Sequence, residues 1–296
     1  MIKKKIILLI EIIHLKLFGQ PLSLKMAQFL TNVSWLFYCG LIVVPISLLI
    51  ATVFGRLIGP EEFGKYNLVV LISSYLMIVI FYGLDISIIK SFVKADDNAQ
   101  KKKVFSSGSV FIVFLLFIFI VIYLLAGDRV SALLNIAKPV LAFAIIYTIF
   151  ATIKQIFDIA IRSQEKFKVQ AIGKVVEIIF TVIAFSAFLV FVKNVNFGSY
   201  VLVLVSGMLA LSIYYLKHVR GYLGSFSLGS LKSQLSEGRF FMLSALLGNI
   251  FITSDRLVVN KFISTEMLGV YSAYYLASVG LVAIVGQLFS SVLLPA

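Results

Sequence analysis

Eight runs of about twenty apolar residues each dominate this chain, at 33–54, 67–89, 106–126, 137–160, 171–192, 199–216, 240–260 and 270–292. A helix needs about 20 such residues to cross the hydrocarbon core of a bilayer. Inside lipid a helix satisfies its own backbone polar groups, so runs of this length are read as spanning helices. The expected fold is therefore all-α and integral to the membrane: a polytopic bundle of about eight transmembrane helices. Composition agrees. Of 296 residues 61% are apolar and 13% charged, with a mean hydropathy of +1.07, against about 45–50% apolar in a soluble domain. The third run, around Val110–Val121, is apolar on every face, so it must border lipid or be fully buried.

The formal net charge of +13 would point a soluble protein toward nucleic acid. Here its distribution gives a different reason. Nineteen of the 26 Lys and Arg fall at the N-terminus and after spans two, four and six; the other seven fall on the opposite side. Basic residues collect in cytoplasmic loops, so both ends of the eight-span chain are expected in the cytoplasm and the chain in the cell membrane. The bilayer is the expected partner, and nucleic acid is not. Residues 1–25 begin like a signal peptide, with Lys3–Lys5 before Ile6–Ile10, but Glu11, His14 and Lys16 interrupt the apolar run and no small-residue cleavage site follows. They are read as a cytoplasmic or interfacial extension. The lone Cys39 excludes an internal disulfide, and His14 and His218 are too isolated for a metal site. No cofactor and no metal are expected.

A second feature divides the chain. Arg56-Leu-Ile-Gly-Pro-Glu-Glu-Phe-Gly-Lys-Tyr66 recurs 205 residues later as Lys261-Phe-Ile-Ser-Thr-Glu-Met-Leu-Gly-Val-Tyr271, identical at Ile58/Ile263, Glu61/Glu266, Gly64/Gly269 and Tyr66/Tyr271. Six spans separate the copies. An even number returns the chain to the same side, so the halves run parallel about an axis along the membrane normal. The expected organisation is an extension (1–25), a six-helix lobe (26–220), an inter-lobe linker (221–239) and the first two helices of a second, incomplete lobe (240–296). Two such bundles rocking about a central cavity give alternating access, the general mechanism of secondary transporters. Within the first copy, Gly59-Pro60 ends one helix and Glu61 and Glu62 start the next, where the macrodipole favours acids.

The first copy, following a span that opens Asn32-Val-Ser-Trp35, resembles the polysaccharide flippases, the O-antigen and repeat-unit translocases. Their superfamily also holds lipid II flippases and multidrug and toxin extruders. Gly83-Leu-Asp85 and Ser254-Asp-Arg256 are similar to the same family's pattern. The resemblance covers roughly residues 26–296. It implies twelve or more spans in two six-helix lobes, of which this chain carries eight, and a lipid-linked oligosaccharide on a polyprenyl diphosphate as cargo. Other glycan-assembly membrane proteins would be its partners. A multidrug or metabolite extruder of the same superfamily is the alternative. An inactive product of a split gene is a further one.

Ionisable groups inside a bilayer usually face a cavity or a partner. Asp255 and Arg256 lie within span seven; the resemblance implies that such charges line the path of an anionic diphosphate, which an arginine fork binds bidentately. Asp85, Lys154, Asp158 and Glu177 fall near the cytoplasmic ends of spans two, four and five, as a gate or headgroup entry or as interfacial anchors. The spacing of Lys154, Asp158 and Arg162 allows local i,i+4 ion pairs. Arg56 snorkels at the outer end of span one or contacts phosphate, and Pro45 allows a kink in that span. Gly59-x-x-x-x-Gly64-Lys65 imitates a P-loop, but Tyr66 stands where Ser or Thr would bind magnesium and no strand precedes it. No hydrolytic motif appears and the outward loops are short, so an enzyme is not expected.

Overall fold

The computed structural model describes residues 24–134, 136–191 and 195–280. Among them every regular element is helical: α1 (Leu24–Phe81), α2 (Leu84–Lys94), α3 (Asn98–Leu134), α4 (Lys138–Ser163), α5 (Phe167–Phe191), α6 (Phe197–Val219), α7 (Leu228–Phe262) and α8 (Thr265–Tyr275). A 3-10 turn, Arg220–Tyr222, follows α6, and a π turn, Leu276–Gly280, follows α8. Six stretches among the described residues are long and apolar enough to cross a membrane. The first, Ser34–Phe81, is two arms joined at Gly59, whose φ of 80° and ψ of 171° leave the helical region. The arms carry the first two expected spans, and α8 opens the eighth. The protein is a multi-pass helical membrane protein. The extension 1–23 and the part of span eight at 281–292 lie outside the described residues.

Glycine sets both breaks in the first hairpin. Gly59 takes a left-handed φ that a Cβ would strain, and Pro60 contributes no N–H to the turn. The second break was not expected: span two, read as continuous over 67–89, turns at Tyr82 and Gly83, with φ of 50° and 71°. The apolar pattern runs unbroken through this point, so hydropathy carries no sign of it. The cause is close packing on α7. A Cβ on Gly83 would lie 2.8 Å from the Met242 nitrogen, and one on Gly238 would lie 2.6 Å from the Tyr82 oxygen. By contrast α1 passes Pro45 without leaving helical dihedrals.

Much of the segment 221–239 is helical. Ser227 caps α7, its Oγ accepting the Ser230 N–H at 3.4 Å, and the helix runs from Leu228 onward. Residues 223–227 are pinned to α3: Ser106 Oγ accepts the Gly224 N–H at 2.7 Å and Ser107 Oγ the Ser227 N–H at 2.9 Å.

Four apolar clusters hold the helices among the described residues, and the smallest joins the first arm of α1 to α5 through Leu36, Phe167 and Ala171. One joins α2, α3, α4 and α6 through Ile88, Ile112, Ile159 and Tyr215. Another joins the 60–81 arm to α4, α6 and α8 through Val69, Ala144, Val201 and Leu268. The third joins both arms of α1 to α5 and α6 through Phe54, Phe63, Ile178 and Tyr200. The outside is as apolar as the inside: Phe114, Phe117, Leu124 and Leu125 of α3 and Leu247 and Phe251 of α7 are exposed. In water such a surface would aggregate; in lipid it is the wetted face. The third run therefore borders lipid.

The two copies of the repeat meet. A Cβ on Gly64 would collide with the Thr265 carbonyl oxygen, and one on Gly269 with the Pro60 carbonyl oxygen. Pro60 and Thr265 are themselves matched positions, 205 apart, as are Gly64 and Gly269. Each copy thus offers a small residue to the other copy's helix start, the reciprocal pattern of a two-fold contact. Small residues spaced four apart let membrane helices approach to backbone distance. The helix starts differ in chemistry: glycine and proline in the first copy, and in the second Ser264, whose Oγ accepts the Met267 N–H at 3.1 Å.

Candidate functional site

A cavity of about 430 Å³ opens between the 24–58 arm of α1 and helices α4, α5 and α6. Its helices are fixed at the repeat end by polar contacts. Glu62, in the first turn after the Gly59 break, accepts the Phe197 N–H at 3.0 Å and so satisfies one free donor at the start of α6. Lys65 holds Glu62 at 2.7 Å and Glu61 at 2.8 Å. Asn196 completes the cap by accepting the Ser199 N–H at 3.0 Å.

Aromatic rings close the cavity at that end. Tyr200 stacks on Phe54 with centroids 4.2 Å apart and meets Tyr66 at 4.5 Å. Tyr66, the repeated tyrosine, and Tyr147 of α4 complete the aromatic wall. Toward the other end of the helices the lining becomes charged. Lys154 Nζ donates to Glu177 Oε1 at 2.6 Å, from α4 to α5. Lys174 lies one turn before Glu177 and also lines the cavity. Among the described residues it has no carboxylate within ion-pair distance. Among the described residues the charged end therefore carries one neutralised pair and one ammonium without a carboxylate partner.

This pairing corrects the expected local ion pairs. Lys154 does not pair with Asp158 one turn along, and Asp158 does not pair with Arg162. Instead Asp158 accepts from Gln170 Nε2 at 3.1 Å, again from α4 to α5. The reason is geometric: the tight turn at 164–166 sets α4 and α5 side by side, so partners across the groove approach head-on. α5 in turn packs closely on α6 at Gly173, where a Cβ would lie 2.7 Å from Tyr215 Cζ and nearer still to the ring edge. Tyr215 Oη donates to the Gln170 carbonyl oxygen at 3.1 Å and locks the same junction.

The other candidates lie elsewhere. Arg56 lines a separate cleft of about 470 Å³ with Thr52, Pro60, Gly269 and Tyr274, between the first arm of α1 and α8. Asp85 occupies the first turn of α2, within electrostatic reach of Arg162. Asp255 and Arg256 tie α7 to α8: Asp255 accepts from Tyr271 Oη, and the Arg256 guanidinium lies 4.1 Å from the centre of the Tyr275 ring. Of the seven, only Lys154 and Glu177 meet in one cavity. Sequence reasoning passed over Tyr66, Tyr147, Tyr200 and Lys174 as lining groups. A signal existed: Tyr147 and Lys154 are seven apart on α4, and Lys174 and Glu177 three apart on α5, each pair on one helix face.

Comparison with known proteins bears on what such a cavity serves. The model of the family described as polysaccharide biosynthesis protein matches residues 29–296. The chain has no match among curated proteins. Among solved structures, the inward-facing conformation of a multidrug resistance MATE family transporter of the MOP superfamily is similar in fold. It aligns with a TM-score of 0.65 at 14% identity, over 84% of this chain and 60% of that one. The chain thus spans 60% of that transporter's length. The family match covers nearly the whole of the described bundle, cavity included, and the chain belongs to the polysaccharide biosynthesis protein family.

Proposed function

We propose that this chain forms the first lobe, and the start of the second, of a flippase. Its cargo is an oligosaccharide linked to a polyprenyl diphosphate, carried across the cytoplasmic membrane for surface polysaccharide assembly. The observation that supports this most is the lining of the 430 Å³ cavity: an aromatic wall at one end and, at the other, Lys174, which has no carboxylate partner among the described residues. Aromatic faces suit sugar rings, and an unpaired ammonium in a low-dielectric groove attracts phosphate. An extruder of cationic drugs would need the reverse, an unpaired carboxylate. Here Glu177 is held by Lys154 at 2.6 Å and offers no free negative charge. Arg56, Asp255 and Arg256, on the repeat side, would act later on the path or keep the α7–α8 hairpin in register. Other membrane proteins of glycan assembly would deliver and receive the cargo.

The test is genetic. Deleting the gene removes surface glycan and leaves the lipid-linked unit on the cytoplasmic leaflet. A Lys174→Gln version of the gene, expressed at the normal level, restores export poorly. Normal surface glycan in the deletion strain overturns the reading. Drug sensitivity with intact glycan transfers the chain to the extruders.

A further inference from the structure

On the lysine-rich side of the bundle, away from the cavity, three connections converge: the end of α2 with the start of α3, the α4–α5 turn, and the turn after α6. They enclose a pocket of about 310 Å³. Two ammonium groups stand at its edge, each over an aromatic ring: Lys101 Nζ is 5.7 Å from the centre of Phe92, and Lys166 Nζ is 5.7 Å from the centre of Tyr222. The two rings contact each other at 5.7 Å, so both lysines are carried on one aromatic platform. Neither lysine has a carboxylate within ion-pair distance among the described residues.

Between them lie polar groups that the protein leaves unanswered. Ser163 is only 4% exposed, yet its hydroxyl has no hydrogen-bond partner among the described residues. Neither Gln164 Nε2 nor Gln164 Oε1 has one either. Buried polar atoms are satisfied in the great majority of cases, and an orphan calls for an explanation. The backbone at Glu165 adds a positive φ of 53°, which keeps the turn tight. Its carboxylate is the pocket's one acid and is exposed. Asp97 is occupied, accepting the Gln100 N–H at 2.6 Å.

The geometry points to a binding site for a phosphate-bearing anion in this pocket, held by Lys101 and Lys166 and by the unpaired donors of Ser163 and Gln164. Two ammonium groups with neutral donors between them suit a multivalent oxyanion. The site goes beyond the proposed transport path, because it shares no residue with the cavity. Its ligand has two possible sources: the headgroup of an anionic lipid in the adjacent leaflet, or a soluble phosphate compound.

The experiment uses the full chain purified in a neutral detergent, with thermal unfolding as the readout. One arm titrates inorganic pyrophosphate. The other compares mixed micelles containing phosphatidylglycerol with micelles containing phosphatidylcholine. A ligand that binds only the folded state raises Tm with concentration. A shift with pyrophosphate alone assigns a soluble phosphate, one with phosphatidylglycerol alone a lipid headgroup, and one with both the shared chemistry. In each case Lys101→Gln and Lys166→Gln weaken binding by roughly tenfold apiece. Ser163→Ala, which leaves the charges in place, weakens it less, and the exposed Lys232→Gln leaves it unchanged. No shift with either probe, or an equal shift in the Lys101→Gln/Lys166→Gln protein, overturns the proposal.

Discussion

Replacing Gly64 by alanine tests whether the two repeat copies truly cross at backbone distance. The added Cβ would sit 2.9 Å from the Thr265 carbonyl carbon and nearer still to its oxygen, where ordinary contact begins at 3.4 Å. The helix starts must therefore separate by more than half an ångström, and no flexible side chain can yield instead because the obstacle is backbone. Overpacking of this kind costs about 1–3 kcal/mol. The sign is diagnostic. Gly64 lies within a helix with no positive φ, so alanine there would stabilise an isolated helix by about 1 kcal/mol. A net loss can come only from the crossing. Gly269→Ala meets the Pro60 carbonyl in the same way. The double variant should cost less than the sum of the singles, since one separation relieves both collisions. The assay labels a cysteine at Ala51, which lines both cavities, with an impermeant maleimide in a Cys39→Ser background. Each 1.4 kcal/mol lost from the crossing raises the open fraction, and with it the labelling rate, about tenfold. An unchanged rate together with a raised Tm would refute the crossing.

Three further outcomes are expected. Lys154→Gln strands the Glu177 carboxylate in a part-buried groove and lowers stability by roughly 1 kcal/mol; adding Glu177→Gln recovers part of it, and strict additivity of the two in a melting series would deny the pair. Gly173→Ala drives a methyl into the buried Tyr215 ring and costs about 2 kcal/mol, so a variant melting at the wild-type temperature would contradict the packing of α5 on α6. A cysteine at Asp128 reacts from outside intact cells and one at Glu165 only after permeabilisation, by the charge bias of the loops; the opposite result inverts the orientation.

The helices were legible because lipid imposes a length that hydropathy reports directly. The repeat was legible too, and its two copies touch at Gly64 and Gly269. Its contact was not read, although Pro60-x-x-x-Gly64 and Thr265-x-x-x-Gly269 each show small residues four apart. How two helices pair across a groove depends on the rotation of each about its own axis, which spacing along one helix does not report. The partner of Lys154 was hidden for that reason, and i,i+4 neighbours were the pairs that spacing alone could suggest. The break at Tyr82–Gly83 was hidden because it answers a neighbour more than 150 residues away in sequence.

The order in which a ribosome delivers these helices gives the packing of α7 a meaning for biogenesis. α7 is the least apolar of the six spanning stretches, and it carries Gln234, Asn249, Thr253, Asp255 and Arg256. Alone in lipid it would be a reluctant inserter, since each unanswered polar group is costly there. The first lobe answers several of them. Gln234 donates to the Val104 carbonyl at 3.0 Å, and Ser87 Oγ donates to the Gln234 carbonyl at 3.0 Å. Asn249 donates to Ser74 Oγ at 3.3 Å, and Thr253 shares a hydrogen bond with Tyr75 at 2.8 Å. All of these partners are synthesised before α7 emerges. The finished lobe is thus a receiving dock for the next helix, and a mutation in the dock would surface as a failure of α7 to enter the membrane.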